Sequence, residues 1–282
     1  MKEAAVLLVG HGSRYGGANE EIKRFGELWR QRQPDWHIEV CYIELAEVLL
    51  DEGLDCTARM ARKVVVVPFI IGAAGHVKLE IPAAIDQARK RHPAVDFVCV
   101  RHLGMGPELF MIIRERLKLA LKPLDAPDPK TTGVILLGRG SSDPGANGEF
   151  AKMVRWIFED TDHELVDGAF TAITWPRLET VVQRQAKLGM TQIAVVPVYL
   201  FSGVLIDRIK RQVERLVRQY PQISFSLGDY FGFDEGIFAL LDERVRGHGT
   251  DAGQLLECDG CKFKAHSQAH HHHHHGDDHA HP

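Results

Sequence analysis

The sequence contains one unit twice, and this duplication restricts the possible folds more than any other feature. The run VLLVGHGS at 6–13 is echoed by ILLGRGS at 135–141, and Gly-Ala-Asn follows both runs. The block VVVP at 65–68, which continues to Gly75-His76, is echoed by AVVP at 194–197, which continues to Gly203-Val204. His11 and Arg139 are 128 residues apart, as are His76 and Val204, which indicates duplication without net insertion.

Each copy is predicted to alternate strand and helix four times. In the first copy, β-branched runs predict strands at about 4–9, 37–43, 63–70 and 95–101, and amphipathic stretches predict helices near 18–33, 46–61, 78–91 and 107–121. This order is typical of a parallel sheet with right-handed crossovers, in which ligands bind beyond the carboxyl ends of the strands. We therefore expect an α/β fold of two tandem half-domains, each a four-stranded parallel sheet flanked by helices, with the active-site cleft between them.

Proline and glycine divide the chain further. We expect an N-terminal half-domain at 1–124, a C-terminal half-domain at 131–246 and a proline-containing linker from Pro123 to Thr132. From 247 to 282 the pattern dissolves into Gly, His and Asp, which predicts a flexible tail.

Composition excludes several classes of protein. A formal net charge of −4 gives no basic field for nucleic acid or an anionic membrane surface. The start of the sequence shows no secretory signal, and the longest apolar run, 64–75, is too short to span a membrane, so we expect a cytoplasmic protein. The five cysteines do not resemble a disulfide framework.

Three polar residues of the first copy are expected to face one cleft. His11 and Glu44 follow the first two predicted strands, and His76 lies in the glycine-rich turn after the third. Two imidazoles and a carboxylate form a ligand set suited to Co²⁺, Ni²⁺, Fe²⁺ or Zn²⁺, with positions left for a substrate's donor atoms. Each residue taken alone could instead be a structural polar group.

The second copy tests that alternative. Across the 128-residue offset, His11 becomes Arg139, Glu44 becomes Ala172 and His76 becomes Val204. The second copy keeps the glycines, prolines and apolar positions, so residues needed only for folding should have been kept too. Joint loss of the three residues therefore favours a metal site confined to the first copy. The corresponding site of the second copy is then degenerate, and Arg139 and its neighbours are expected to form the opposite side of the cleft.

Neighbouring residues allow weaker predictions. His102 could line the cleft or be a solvated edge residue, and Glu47 and Glu80 lie in predicted helices where a solvated carboxylate is common. Three cations could meet carboxylates of an acidic ligand, or could lie on the surface: Arg14, Lys78 and Arg139.

The motifs VGHGSR at 9–14, YIELA at 42–46, and VPF at 67–69 leading to AGHV at 74–77 resemble the class II chelatases, specifically the sirohydrochlorin cobaltochelatase (CbiX) family and its ferrochelatase relative. The resemblance covers about residues 4–246. It implies a lyase that inserts Co²⁺ into the tetrapyrrole sirohydrochlorin during cobalamin biosynthesis. It also implies that His11 is metal ligand and proton acceptor, Glu44 its carboxylate partner and His76 the second metal-binding histidine.

The resemblance also assigns substrate contacts. The turn before His76 would contact the macrocycle, and with Arg14 it gives the expected substrate-binding residues: Ile71, Gly72, Ala73, Ala74 and Gly75. Family members often carry an acidic residue soon after the second histidine, whereas here the run is Val77-Lys78-Leu79-Glu80, so whether Glu80 takes that place is open. The expected partners are sirohydrochlorin and a divalent metal, and the expected state is monomer or homodimer.

Other functions stay open at this point. The chain could be the iron chelatase of sirohaem synthesis, because metal preference does not follow from shared affinity orders. It could also be a cobalt or nickel chaperone without catalytic activity. A histidine phosphatase fits poorly, because Gly10 stands where that chemistry needs an arginine.

The tail carries a second group of possible metal ligands. Cys258 and Cys261 have Cys-x-x-Cys spacing, and the resemblance implies an iron–sulfur cluster, possible as [4Fe-4S] only with a second chain; a redox pair is the alternative. The neighbouring histidines could hold Co²⁺ or Ni²⁺ weakly for delivery, although six in a row also resemble a purification tag. They are His266, His270, His271, His272, His273, His274, His275, His279 and His281.

Overall fold

Two four-stranded parallel sheets with helices on both faces build the chain, and the computed structural model describes residues 2–247. The strands are β1 (Lys2–Gly10), β2 (Ile38–Tyr42), β3 (Ala61–Pro68), β4 (Asp96–Cys99), β5 (Thr132–Gly138), β6 (Val166–Phe170), β7 (Gln192–Pro197) and β8 (Ser224–Leu227). The α-helices are α1 (Gly16–Arg32), α2 (Leu50–Met60), α3 (Ile81–Arg91), α4 (Pro107–Leu121), α5 (Pro144–Asp160), α6 (Leu178–Lys187), α7 (Val204–Gln219) and α8 (Glu235–Arg246).

The sheet orders repeat, as the duplication predicts. The first sheet runs β2-β1-β3-β4 and the second runs β6-β5-β7-β8, with every neighbouring pair parallel. The central strands are almost wholly apolar because helices cover both of their faces. The predicted fold class of two tandem parallel α/β units is thereby confirmed.

The 128-residue offset holds over most of the molecule, with one local exception. Pro68 lies beside Val9, and Pro197 lies beside Leu137, so the third strands of the two halves are 129 residues apart. The turn that follows this strand is one residue shorter in the second half. The offset is therefore again 128 residues at His76 and Val204. The positions of the blocks VVVP at 65–68 and AVVP at 194–197 already contain this shift, which the comparison of His11 with Arg139 and His76 with Val204 does not reveal.

Two predicted helices begin elsewhere. The helix predicted at 46–61 begins at Leu50, and bends occupy 43–48, so Glu47 lies in a loop and its predicted helical placement is wrong. The helix predicted at 78–91 is preceded by a π-helical turn, His76–Glu80, before α3 begins at Ile81. Both differences fall at the carboxyl edge of the first sheet.

The two halves share a core. One cluster of buried side chains takes residues from β1 and β3, from β5 and β7, and from the four helices α1, α4, α5 and α8. At its centre Phe25 stacks on Phe238, with ring centroids 4.0 Å apart and planes 4° apart. Two further cores lie outside, one under α2 and α3 and one under α6 and α7. The halves are therefore joined by apolar packing.

The last helix of each half packs across the molecule. Helix α4 contacts β7 of the second sheet, and α8 contacts β3 of the first. Arg116 of α4 donates to Asp234, just before α8, at 2.7 Å, and Trp29 of α1 donates to Asp242 of α8 at 2.8 Å. Each sheet is thus covered partly by a helix from the other half. Within residues 2–247, no helix combines the length and the apolar character that crossing a membrane requires.

Candidate active site

His11 and Glu44 come together because their strands are neighbours. Gly10 pairs with Tyr42 in the parallel ladder, and two further backbone bonds extend it, Ile43 N–H to Gly10 O at 3.0 Å and Glu44 N–H to His11 O at 3.1 Å. The imidazole Nδ1 lies 3.8 Å from the Glu44 Oε1, and the side chains are 30% and 44% exposed. A histidine and a carboxylate therefore face solvent together at the carboxyl edge of the first sheet.

Gly12 allows this approach. Its φ is +89°, and a Cβ there would lie 1.7 Å from the Glu44 carbonyl oxygen. Any other residue at this position would push the loop that follows β2, residues 43–48, away from His11. Leu45, the next residue of that loop, also has a positive φ of 59°. Such conformations persist only where the surrounding structure enforces them.

The hydrogen bond of His11 selects one tautomer. Its Nδ1 lies 3.0 Å from the Gly12 carbonyl oxygen, which can only accept, so Nδ1 carries the proton. In the neutral ring the lone pair is then on Nε2, which is the form in which imidazole binds a metal. This arrangement resembles metal sites in which a backbone carbonyl orients the histidine ligand.

His76 begins the π-helical turn, and its side chain lies outside the part of the chain that is described. The preceding turn, 71–75, is partly exposed, and a Cβ on Gly72 would lie 3.9 Å from Ala146 of α5. The turn thus reaches the second half. Among the described side chains, which do not include that of His76, no group of three His, Cys, Asp or Glu is arranged around one point.

Lys78 lies neither on the surface nor beside an open ligand position, so both expectations for it are wrong. It is buried and forms an ion pair with the buried carboxylate of Asp143 in the second half. Asp143 also caps α5, because its Oδ1 accepts from Gly145 N–H at 2.8 Å and Ala146 N–H at 3.3 Å. The pair therefore ties the turn that carries His76 to the start of α5.

The other candidate residues have different environments. Arg14 is exposed, in agreement with the surface alternative, and Glu80 is half-buried at the end of the π-helical turn. His102 neither lines the cleft nor is solvated: it is buried, and burial, with Arg244, Arg101 and Lys78 nearby, lowers its pKa to about 4. His102 is therefore a neutral interior residue at neutral pH. The tail residues 248–282, with the Cys-x-x-Cys pair and the histidine tract, lie outside the described residues.

The second sheet has a matching edge with other chemistry. Gly140 repeats the positive φ of Gly12 at 85°, and Ile173 repeats that of Leu45 at 60°, so the backbones correspond. Arg139 takes the place of His11 and is exposed. Nearby, Tyr199 and Thr171 share a hydrogen bond of 2.6 Å, and burial raises the Tyr199 pKa to about 12. The fold of the edge is kept although the residues Glu44 and His76 have become Ala172 and Val204.

Sequence reasoning missed two features of this region. It considered Lys78 but not its partner Asp143, since nothing in the pattern places a residue after β3 against the cap of α5. It also did not compare Glu47 with Trp175 or Leu49 with Arg177, although the same offset aligns them. The offset was therefore a signal that could have found the loop 171–177.

Comparison with known proteins supports the division of the chain into two similar units. The CbiX family model matches twice, at residues 5–120 and 133–248. The sirohydrochlorin cobaltochelatase of Priestia megaterium is 37% identical over 92% of this chain and 84% of its own length. The sirohydrochlorin ferrochelatase of the same organism is 27% identical over 86% of this chain and 89% of its own.

A solved structure extends the likeness to three dimensions. The sirohydrochlorin chelatase SirB from Bacillus subtilis subspecies spizizenii, in complex with cobalt, superimposes with a TM-score of 0.73 and 26% identity. The match covers 90% of this chain and 99% of that one. With both halves matched by the family model and one relative similar over nearly the whole length, the chain belongs to the CbiX family of chelatases.

Proposed function

We propose that this protein inserts Co²⁺ into sirohydrochlorin in the course of cobalamin biosynthesis. The observation that carries the proposal is the 37% identity to a sirohydrochlorin cobaltochelatase over 92% of the chain. The His11–Glu44 pair at an open sheet edge supports it, because metal insertion needs a ligand that can also accept protons.

The chemistry assigns a task to each residue. Metallation removes two pyrrole N–H protons while the ion exchanges water and protein ligands for four ring nitrogens. Nε2 of His11 suits first contact with the metal and then proton acceptance, since an imidazole titrates near neutral pH. Glu44 stabilises the imidazolium that results. We assign His76 as second metal ligand by the same family relationship.

The turn 71–75, which precedes His76, is proposed to contact the substrate. Residues 71–75 are partly exposed beside the cleft and reach α5 of the second half, so they can contact the macrocycle from the side of the catalytic sheet. Arg14 is exposed next to His11 and is available to a substrate carboxylate.

Iron is the second candidate metal, because a sirohydrochlorin ferrochelatase is 27% identical over 86% of the chain. An imidazole and carboxylate set binds both ions. Initial rates with Co²⁺, Fe²⁺ and Ni²⁺ at equal concentrations would rank them. A faster rate with Fe²⁺ at every concentration would move the assignment to the iron enzyme.

The experiment that tests the function is metallation of sirohydrochlorin followed by absorbance. We expect turnover with Co²⁺ by the native protein and a loss of at least about a hundredfold in His11→Ala and His76→Ala. Undiminished rates in both variants would overturn the site assignment. Metal binding without any insertion would favour the chaperone alternative.

Several expectations stay predictions. They are the cytoplasmic location, the monomeric or homodimeric state, and the delivery role and iron–sulfur cluster of the tail. Truncation after Gly247 addresses the tail: turnover at saturating cobalt should be kept, whereas turnover at low cobalt should fall.

A further inference from the structure

We propose that the second half supplies the binding wall for the organic substrate, through Trp175 and three arginines at the carboxyl edge of its sheet. Trp175 covers an apolar face of the macrocycle, and the arginines bind its carboxylates: Arg139, Arg177 and Arg208. This inference rests on the proposed function, because it takes sirohydrochlorin as the ligand.

The loop 171–177 is anchored at both ends to the edge of the second sheet. Phe170, the last residue of β6, donates its N–H to Pro176 O at 2.9 Å and forms a bridge with Arg177. At the other side, Ala172 N–H donates to Arg139 O at 3.0 Å. The loop therefore leaves and rejoins the edge next to Arg139, and its tip projects beyond the strands.

The tip presents large apolar side chains to solvent. Trp175 is 67% exposed and Ile173 is 52% exposed. Exposed apolar residues that cluster at a sheet edge where ligands bind are typical of a binding surface. A tryptophan ring offers a flat area of the kind that stacks on a conjugated macrocycle.

Three arginines belong to the same carboxyl edge of the second sheet, each in a segment that follows one of its strands. The Arg177 guanidinium lies 4.7 Å above the Trp175 ring centroid, and its Nη1 is shielded from solvent without a hydrogen-bond partner among the described residues. Arg139 is exposed directly after β5 and its carbonyl oxygen accepts from Ala172 of the loop, and Arg208 is exposed near the start of α7, the helix that follows β7. Guanidinium groups bind carboxylates through two parallel hydrogen bonds, so this set suits a ligand with many carboxylates.

The duplication shows that this charge is specific to one half. At the corresponding positions of the first half, Arg139, Arg177 and Arg208 are replaced by His11, Leu49 and Glu80, and Trp175 by Glu47. A polycarboxylate is thus attracted mainly to the second edge, while the first edge carries the proposed metal ligands, carboxylates and the exposed Arg14. This asymmetry would direct the ring nitrogens towards His11 and Glu44.

The test separates substrate binding from metal binding. In the full-length protein, Trp175→Ala, Arg177→Met and Arg208→Met should each raise the KM for sirohydrochlorin by about tenfold, equivalent to roughly 1.4 kcal/mol. The KM for Co²⁺ should not change. Trp175→Phe should restore most of the affinity, because it keeps an aromatic face.

Matched controls come from the far end of α6. Leu188 is 66% exposed, close to the exposure of Trp175, and Arg184 is an exposed arginine in the last turn of that helix. Leu188→Ala and Arg184→Met should leave both KM values unchanged. Far-UV circular dichroism should show native helix content for every variant, since all these side chains reach solvent.

Binding of metal-free sirohydrochlorin in a His11→Ala background tests the substrate-binding surface separately from the metallation activity. Weaker binding in the Trp175 and arginine variants would support a substrate-binding surface on the second half even if the native protein failed to metallate. Equal binding in all variants would overturn that proposal, whatever the metallation result. Changed oligomeric state with unchanged sirohydrochlorin binding would mean that the patch docks protein, and would also overturn the proposal.

Discussion

At the scale of single residues, the role proposed for Glu44 depends on its negative charge. Glu44→Gln keeps the size of the side chain but cannot stabilise an imidazolium 3.8 Å away. We expect the kcat for cobalt insertion to fall by about a hundredfold, in the range for loss of general acid–base assistance. Steady-state rates at saturating Co²⁺ and sirohydrochlorin would measure it.

A second histidine–glutamate pair provides the control for Glu44. Glu39 of β2 lies 3.2 Å from the Nε2 of His37, outside the carboxyl edge of the sheet. Glu39→Gln should leave the kcat unchanged. Equal losses in the Glu39 and Glu44 variants would mean that the effect comes from general electrostatics and not from the site.

His102 makes stability depend on pH. Its pKa is lowered from 6.5 to about 4 in the folded protein, so the unfolded chain binds the proton first as pH falls. Stability from this residue is full above pH 6.5 and is lost towards pH 4. Between pH 7.5 and 5, the free energy of unfolding should fall by about 2 kcal/mol through His102.

Urea unfolding at both pH values, in native protein and in His102→Gln, would measure this contribution. The variant should be less stable at pH 7.5 but should lose about 2 kcal/mol less on going to pH 5. An identical pH dependence in the two proteins would show that His102 does not titrate in this way.

Single-residue chemistry was partly predictable. His11 and Glu44 could be placed together from sequence, since each follows a strand whose apolar run is unmistakable, and the structure confirms their proximity. The burial of His102 could not be predicted from sequence, because this residue follows a short edge strand where solvent exposure is the usual outcome. The charges of Arg244 and Lys78, which also lower its pKa, come from residues distant in sequence.

At the scale of elements, the Lys78–Asp143 ion pair connects the π-helical turn to α5. Asp143→Asn should keep the helix cap, because asparagine also accepts from backbone N–H groups, but it leaves a buried ammonium without its charge partner. We expect the free energy of unfolding to fall by about 3–5 kcal/mol. Urea unfolding of the full chain would measure it.

Two further variants test the cause of that loss. Lys78→Met combined with Asp143→Asn should be more stable than Asp143→Asn alone, because the buried charge is gone. Glu149→Gln breaks an exposed pair with Lys152 on the same helix and should cost under about 0.5 kcal/mol. A double variant no more stable than Asp143→Asn would contradict the assignment.

Elements were predicted well where burial is regular and poorly where it is not. The strands follow from β-branched runs, and their sequence bounds are close to the observed ones. The start of α2 was predicted four residues early, since Ala46, Val48 and Leu49 continue the helical apolar pattern into what is a loop with Leu45 at positive φ. The backbone of that loop lies against Gly12 across the sheet edge, a contact that the local sequence does not contain.

At the scale of the whole molecule, the exchange of final helices makes the halves interdependent. The repeat predicts two equal units, but it does not say which helix covers which sheet, because α4 and α8 have similar apolar faces. In the structure, α4 contacts β7 and α8 contacts β3. Ser226 of β8 also donates to the Ala120 carbonyl of α4. Neither half has its full set of covering helices within its own sequence.

Phe238 tests this interdependence. It belongs to α8 and stacks on Phe25 of the first half at 4.0 Å, so Phe238→Ala should lower the free energy of unfolding by about 3–5 kcal/mol. Because the core is shared, amide protection in hydrogen exchange should fall together in β1 and in β5. A loss of protection confined to the second half would mean that the two sheets unfold independently.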